Sequence, residues 1–373
     1  MKTTFGMTVL AGICAGACAS AAAQGSVDIG GTVDVGLRQV RNGSLGSDKS
    51  EVSGSNTTSK LVIRGTETLG SDLSAGFYLD GSLLADTGSA GASTPAGQFW
   101  DRRATVSLTS ARWGEVRLGR DWVPTHLVWS GFDPFMTLGI AGANSFRSMS
   151  ASRALGQAFG TAPEKQAANP TLRVSNAVEY FLPAGLAGVY GSLIATAGEG
   201  GSTANGFTQG RGFRLGWMGS GVHVGAAQFI TRNTVAGPAF KDQILGASYD
   251  FGVVKLSVAQ RRWVIASDKT VNLLVGAVIP VGADAIRLTF LKADQTGATS
   301  ALSANDANLL GVGYVHNFSK RTALYGTVAR IQNKGAATFA IAGGPAVSAK
   351  PSAANYFGGQ RSSAYEVGIR HDF

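Results

Sequence analysis

The amino-acid sequence predicts an all-β protein, a transmembrane antiparallel β-barrel of sixteen strands. Three observations support this fold class. The final nine residues, 365–373, alternate apolar and polar side chains, short and long connections alternate along the chain, and charged residues make up only 15% of a sequence with 52 glycines. No segment after the N-terminal region offers the ~20 consecutive apolar residues of a membrane helix. A membrane protein of this composition should cross the bilayer with strands.

The C-terminal segment shows the alternation most clearly. Successive side chains of a strand point to opposite faces, so odd-numbered and even-numbered residues separate. One face carries Tyr365, Val367, Ile369 and Phe373, and the other carries Glu366, Gly368, Arg370 and Asp372. The first face suits lipid and the second suits water. A soluble sandwich strand could alternate in the same way, so the rest of the chain must decide.

Turn-forming residues divide the chain into short connections and longer loops. Seven short turns are predicted at 69–72, 110–112, 183–185, 219–221, 250–252, 280–282 and 318–320. Eight mostly longer stretches lie between them, at 41–56, 85–98, 122–170, 197–208, 233–240, 266–269, 295–306 and 334–362. Short periplasmic turns that alternate with longer external loops are typical of an outer-membrane barrel.

Sixteen predicted strands follow from these connections. They cover residues 26–40, 57–69, 72–84, 99–109, 113–121, 171–182, 186–196, 209–218, 222–232, 241–250, 253–265, 270–279, 283–294, 307–317, 321–333 and 363–373. Barrels of eight strands fill their interior with side chains, whereas barrels of ~16–18 strands leave an aqueous channel. The strand count therefore indicates transport.

The N-terminal segment has the pattern of a secretory signal. A lysine precedes an uncharged run over 5–19, and alanines at 21–23 offer a cleavage site. We predict a signal peptide over 1–23 and one barrel domain over 24–373. A retained anchor is the alternative, although the run is short and rich in alanine and glycine for a transmembrane helix.

Both cysteines, Cys14 and Cys18, lie within the predicted signal. Lipoprotein processing at Cys18 is the alternative, but residues 15–17 lack the leucine of a strong lipidation site. The mature chain should therefore have no disulfide and no sulfur-based metal or redox site. The glycines at 311 and 313 lack the third glycine and following helix of a dinucleotide fingerprint. We expect neither a cofactor nor a metal.

Six short segments occur in one known family in the same order. They are 27–34, 64–70, 114–120 followed by 133–135, 173–180, 318–322 and 368–373. Through them the sequence resembles the general, trimeric porins of Gram-negative bacteria, of the beta-proteobacterial type, over nearly the whole mature chain. It departs from the family at Thr68, where an acidic residue is usual, and in a generic strand at 248–250.

The resemblance implies a homotrimer surrounded by outer-membrane lipid, through which small hydrophilic solutes diffuse passively. It implies that the third loop, 122–170, folds into the barrel as a constriction loop. It also implies recognition of Phe373 by the barrel assembly machinery. Arg64, Arg103 and Arg173 fall where such porins carry basic constriction residues.

The loop at 122–170 is also unusual on physical grounds. A long segment without strong periodicity inside a compact domain is functional or disordered, and its tryptophan, phenylalanine and proline residues argue against disorder. An external position would expose this apolar surface to water, whereas folding inward buries part of it. The alternative is a loop that only covers the external rim.

Strand parity places several cations on the polar face. Arg64, Arg103 and Arg173 lie opposite apolar neighbours in their strands. A charge on the lipid face costs ~2–4 kcal/mol at the bilayer midplane. The same reasoning adds Arg38, Arg117, Arg214, Lys255, Arg261 and Arg287 to the face that looks into the lumen. Any of them could instead lie near the rim or pair with a carboxylate.

These cations lead to a prediction of selectivity. Arginines across the pore from loop carboxylates would create a transverse field with net positive potential, which concentrates anions and discourages cations. The candidate pore-lining residues are Arg64, Arg103, Arg173, Arg38 and Arg117, and the candidate acidic residues of the constriction loop are Asp121 and Asp133. Transit would be passive, since binding must stay weak for the solute to leave.

Other functions fit the sequence less well. The net charge of +9 could suggest nucleic acid, but the cations are scattered and form no basic helix or patch interleaved with aromatic residues. A barrel hydrolase needs a base and an orienting partner, which His126, His223, His316 and His371 do not supply at their positions. We therefore predict no enzyme. An adhesin or autotransporter would need a passenger or long external segments, for which the barrel leaves no room.

Overall fold

The computed structural model describes residues 25–91, 98–160, 170–197, 209–232 and 238–373. The predicted signal peptide over 1–23 lies outside the described residues, as do parts of the predicted loops. None of the described helices is long and apolar enough to cross a membrane.

Antiparallel strands account for most of the described chain. They are β1 Ser26–Asn42, β2 Ser47–Ser53, β3 Lys60–Thr68, β4 Leu73–Leu84, β5 Ser89–Ala90, β6 Arg103–Ser110, β7 Gly114–Trp122, β8 Arg173–Phe181, β9 Val189–Thr196, β10 Gln209–Gly219, β11 Val222–Arg232, β12 Phe240–Asp250, β13 Lys255–Ile265, β14 Asp268–Val281, β15 Asp284–Thr296, β16 Ala307–Asn317, β17 Thr322–Asn333 and β18 Arg361–Asp372. The helices among the described residues are α1 Pro124–Phe132, α2 Arg153–Phe159 and α3 Ser300–Ser303, with 3-10 turns at Gly43–Leu45 and Ala143–Phe146.

These strands form a closed barrel. Each barrel strand pairs with the next, and β1 pairs with β18 to close the sheet. β2 and β3 pair with the two halves of β1 and together make one barrel strand, while β5 pairs only with β4. The predicted barrel of sixteen antiparallel strands is thus confirmed.

The two faces of the barrel differ as the alternation predicts. Tyr365, Val367 and Ile369 are 55%, 57% and 49% exposed, whereas Glu366 between them is 2% exposed. Asp34 on the paired strand β1 is fully buried. At these positions of β1 and β18 the outer face is therefore apolar, and the inner face, which looks into the barrel, carries charged side chains.

The first hairpin differs from the prediction. Residues 41–56 were expected to form a loop, but β1 continues to Asn42, and β2 follows a four-residue turn at 43–46. The strand then breaks over 54–59. Ser53 pairs with Val35 and Lys60 with Thr32, so six residues on this strand stand opposite two on β1. The residues of β2 are all polar or charged except Val52, so this strand resembles a loop in sequence, which explains the error.

Candidate functional site: the barrel interior

The segment between β7 and β8 contacts the inner face of the barrel. Helix α1 packs against β11, β12 and β13. Phe132 at its end is 2% exposed and lies so close to Gly246 that a Cβ there would collide with the ring. On the same strand, Leu245 points outward and is 67% exposed.

Glycines on the inner face make room for this segment. Pro134 occupies the space that a side chain at Gly276 would need, and Phe135 does the same at Gly313. In the sequence these positions look like ordinary strand glycines. All of them lie on the inward face of their strands, and this pattern could have predicted where the segment packs against the wall.

A buried ion pair fixes the start of α1. Arg261 donates from Nη2 to Asp242 Oδ2 at 2.6 Å, and both side chains are at most 2% exposed. Thr125 Oγ1 donates to the same carboxylate at 2.6 Å, and Arg261 also donates to the carbonyl of Thr171 at 2.7 Å. The pair therefore ties both ends of the segment to the wall.

A second ion pair fixes α2. Arg153 Nη2 lies 2.8 Å from Asp268 Oδ1, and the Arg153 backbone N–H donates to Gln295 Oε1 at 2.7 Å. Ser152 Oγ lies 3.1 Å from Thr270 Oγ1. The two described helices of the segment are thus attached to strands on one side of the barrel.

Asp133 organises the turn after α1. Its carboxylate accepts hydrogen bonds from the backbone N–H groups of Phe135, Thr137 and Ala143 at 2.9, 3.0 and 2.8 Å. Only 4% of the residue is exposed. Burial raises the pKa of Asp133 to about 6, against the lowering effect of the three hydrogen bonds. The carboxylate thus faces its own backbone.

Residues 54–59, which interrupt the barrel strand between β2 and β3, form an insertion. This 54–59 insertion contacts the turn of the internal segment from the opposite wall. Asp34 Oδ2 accepts from the backbone N–H of Asn56 at 2.8 Å and of Thr57 at 2.6 Å. Arg287 Nη1 donates to Asn56 Oδ1 at 3.0 Å. The carbonyl oxygen of Ser55 lies against Gly139, where a Cβ would meet it.

Between the two inserted segments lies a cavity of about 540 Å³. Residues from both segments and from the adjoining wall line it, among them Thr57, Lys60, Arg102, Trp122, His126 and Arg173. Lys60 and Arg102 were not among the predicted site residues. Lys60 shares strand parity with Arg64, so parity could have suggested it. Arg102 has the opposite parity to Arg103 and precedes β6, so parity gives no signal for it.

Arg173 is held in this cavity by an aromatic ring. Its guanidinium carbon lies 3.8 Å from the centroid of the Trp122 ring. Among the described residues it makes no ion pair, and its Nε has no hydrogen-bond partner. Arg102, by contrast, lies 3.0 Å from Asp80.

His126 stacks on the ring of Trp122. The two ring centroids lie 4.7 Å apart, with the planes at 12°. Burial, and then the charges of Arg261 and Arg173, lower the pKa of His126 well below its usual value. The imidazole is therefore neutral and adds no charge to the cavity.

Arg103 and Arg117 lie together in a separate cluster. Arg117 Nη1 is 2.6 Å from Asp121 Oδ2, and its Nε is 2.9 Å from Glu115. Arg103 Nε is 3.5 Å from the same Asp121, and its guanidinium lies 4.2 Å from the Tyr78 ring centroid. Asp121 belongs to β7 and not to the loop. Two carboxylates offset the two arginines.

The remaining predicted arginines lie at other levels along the barrel axis than the cavity. Arg64 is 59% exposed and lies 3.3 Å from Asp28, near the end of the barrel with the short turns. Arg38 Nη2 lies 2.7 Å from Glu366. The structure therefore places Arg173 alone of the five candidates in the cavity lining, together with Lys60 and Arg102.

Comparison with known proteins identifies the family. The family model for Gram-negative porins matches residues 6–336. The chain belongs to this family. This porin is 34% identical to outer membrane porin protein 32 of Delftia acidovorans over 389 aligned residues, which cover 100% of this chain and 99% of the relative. It is 25% identical to an outer membrane porin protein of Bordetella pertussis, over the full length of both.

Solved structures agree with the sequence relatives. An anion-selective porin from Comamonas acidovorans superimposes with a TM-score of 0.74 at 30% identity, covering 94% of this porin and 100% of that chain. OmpT of Vibrio cholerae has a TM-score of 0.62 at 13% identity, with 94% and 98% covered, which shows the shared fold. The porin is thus a protein of the outer membrane, with the water-filled barrel of its family.

Proposed function

We propose that this porin is an anion-selective channel for passive diffusion of small hydrophilic solutes. The observation that carries the proposal is Arg173, held against Trp122 at 3.8 Å without an ion-pair partner among the described residues. Lys60 and Arg102 line the same cavity. An uncompensated cation in a narrow, low-dielectric passage raises the local concentration of anions.

The charges around the cavity still leave a net positive potential, because two carboxylates oppose the three cations Lys60, Arg102 and Arg173. Asp80 pairs with Arg102. Asp101 also lines the cavity and accepts hydrogen bonds from the backbone N–H and Oγ of Ser82 at 2.7 and 3.0 Å. The arginines at 38, 64, 103 and 117 add a weaker, partly compensated contribution along the inner face. The 30% identity to the anion-selective porin from Comamonas acidovorans supports the same preference for anions.

In this proposal the 122–170 segment acts as the constriction loop. Its contacts with β11–β16 on one side and with the 54–59 insertion on the other support this role. Asp133, bound to its own backbone, shapes the loop, and Asp121 contributes to the field from β7.

We further propose export by the 1–23 signal and assembly as a homotrimer. Phe373 supports contact with the barrel assembly machinery, since its side chain is 51% exposed and outward, while its backbone exchanges two hydrogen bonds with Gly31 at 3.1 Å. The terminal residue thus completes the β1–β18 seam.

Transport involves no catalytic step in this proposal. Three of the four histidines have polar contacts: His223 Nε2 lies 2.9 Å from the Tyr190 hydroxyl, His316 Nδ1 lies 2.8 Å from Asp284, and His371 Nδ1 lies 2.9 Å from Thr322 Oγ1. These three residues lie on different strands near the short turns.

The test is the reversal potential of the R173Q variant in a planar bilayer under a potassium chloride gradient. We expect the permeability ratio of chloride to potassium to fall, and to fall further when K60Q is added. The matched control is R64Q, whose arginine is exposed and beside Asp28, and which should change the ratio less. An unchanged ratio in the double variant would place the selectivity elsewhere.

A further inference from the structure

Five basic residues share the outer face of neighbouring strands. They are Arg211 on β10, Arg232 on β11, Lys241 on β12, Arg262 on β13 and Lys269 on β14. Their outward direction follows from parity with exposed apolar residues of the same strands. On β10, Phe213 and Leu215 are 43% and 54% exposed, and Arg211 has the same parity.

The strand register brings these side chains into one band. Arg211 pairs with Ile230, which pairs with Lys241, and Lys241 pairs with Val264, which pairs with Lys269. The row therefore carries a basic residue on every second strand, β10, β12 and β14. Because neighbouring strands lie ~4.8 Å apart, these basic residues are about 10 Å from one another.

The other two basic residues flank this row. Arg232 pairs with Gln209 on the side of the loops, and Arg262 pairs with Gln243 on the side of the membrane. Gln243 donates to Gln228 Oε1 at 2.7 Å, so the boundary below the row is still polar. We call these five residues the basic band.

No acidic residue compensates the basic band within the described part of β10–β14. The outward positions of these strands carry neither Asp nor Glu. The two acids closest in sequence, Asp242 and Asp268, face inward and bind Arg261 and Arg153. None of the ion pairs between described residues includes a member of the band.

The charge is confined to one end of these strands. All five members lie beside the connections that follow β9, β11 and β13, whereas the opposite ends carry apolar outward residues such as Tyr249, Leu256 and Val281, each 43–48% exposed. Long loops mark the external side of such a barrel. The band therefore lies at the level of the headgroups of the external leaflet, where lipid-facing charge costs least.

We propose that the basic band binds the phosphorylated headgroups of a glycolipid in the external leaflet. Arginine matches phosphate oxygens with two parallel N–H donors, and lysine adds point charges. Within β10–β14 the row of cations has no acids, and one polar layer with Arg262, Gln243 and Gln228 separates it from the apolar wall. This order fits a molecule that has phosphates at the level of the row and acyl chains below it. This surface is separate from the channel and does not depend on its selectivity.

The experiment measures binding of bisphosphorylated lipid A to the detergent-solubilised porin. The test variant replaces Arg211, Lys241 and Lys269 by glutamine. The matched control replaces three cations at the short-turn end, Arg112, Lys320 and Arg321, by glutamine. We expect the control to bind like the original protein. The test variant should bind roughly a hundredfold more weakly, at about fivefold per basic side chain near an anionic surface.

Two further binding measurements test whether the phosphates of the lipid are recognised. Lipid A without phosphates should bind weakly to every form of the protein, and inorganic phosphate at millimolar concentration should not displace bound lipid A. Equal binding by the test variant, equal binding of the dephosphorylated lipid, or displacement by inorganic phosphate would overturn the proposal. If the triple variant does not fold, R262Q alone should weaken binding about fivefold. The reversal potential is unaffected in each case.

Discussion

The guanidinium of Arg173 lies 3.8 Å from the ring centroid of Trp122. A cation over an indole face is stabilised by ~0.5–2 kcal/mol. Unlike a carboxylate, the ring holds the cation without cancelling its charge. The contact therefore fixes a positive charge at the wall of the cavity and leaves it available to a passing anion.

The first prediction concerns this contact. W122A should release Arg173 from its fixed position, so the chloride-to-potassium permeability ratio should fall while the barrel remains folded. The loss corresponds to about 1 kcal/mol of positioning free energy. W113A is the control, since Trp113 holds Arg112 at 4.8 Å near a short turn. Equal reversal potentials for W122A and the original protein would contradict the assigned role.

The second prediction concerns the anchor of the internal segment. D242N leaves Arg261 buried without its counter-ion, and removal of one partner from such a pair costs ~3–5 kcal/mol. We expect α1 to detach from the wall, with larger and noisier single-channel conductance. D294N removes an ion pair that is 40–47% exposed and worth ~0–1 kcal/mol. If both variants conduct like the original porin, the Arg261 pair does not hold the loop.

The third prediction concerns the 54–59 insertion. After removal of residues 55–58, residues 54 and 59 stand opposite residues 34 and 33 of β1. Because an even number of residues is removed, the side chains of the strand keep their alternation between inward and outward. Because the four residues carry no charge, we expect higher conductance and passage of larger neutral sugars with an unchanged ion preference. N56A, which loses the hydrogen bond to Arg287 at 3.0 Å, is the milder variant. Unchanged conductance in the deletion would show that the insertion does not limit the pore.

The fourth prediction concerns pH. The pKa of Asp133 in the folded loop is raised from 3.8 to about 6, so folding of the loop favours the protonated carboxyl. The corresponding stability is present below about pH 4 and is lost as pH rises through about 6, with an upper limit of ~3 kcal/mol at 1.36 kcal/mol per pKa unit. Current fluctuations should increase over this window. D133N should lack this pH dependence; a profile like that of the original protein would assign it to another group.

The sequence was informative where periodicity governs the structure. Alternation in residues 365–373 correctly gave the outward face of the last strand, and turn chemistry gave the count of sixteen strands. Both depend on local rules: the two-residue repeat of a strand and the backbone preferences of glycine, proline and asparagine.

Such local rules predict less about the arrangement of side chains inside the barrel. Parity puts Lys60 and Arg64 on one face but does not give their height, and only the first lines the cavity. Nor does the sequence show that Asp133 binds its own backbone. The 54–59 insertion depends on a register difference between β1 and its neighbour, which only pairing reveals.

The most direct test of the central proposal is the zero-current potential of the purified porin in a planar bilayer between two potassium chloride concentrations, measured with its single-channel conductance. Stepwise openings with a reversal potential toward the chloride equilibrium value are the predicted result. A reversal potential toward the potassium value, in a protein that still forms open channels, would contradict the selectivity assigned to Arg173, Lys60 and Arg102.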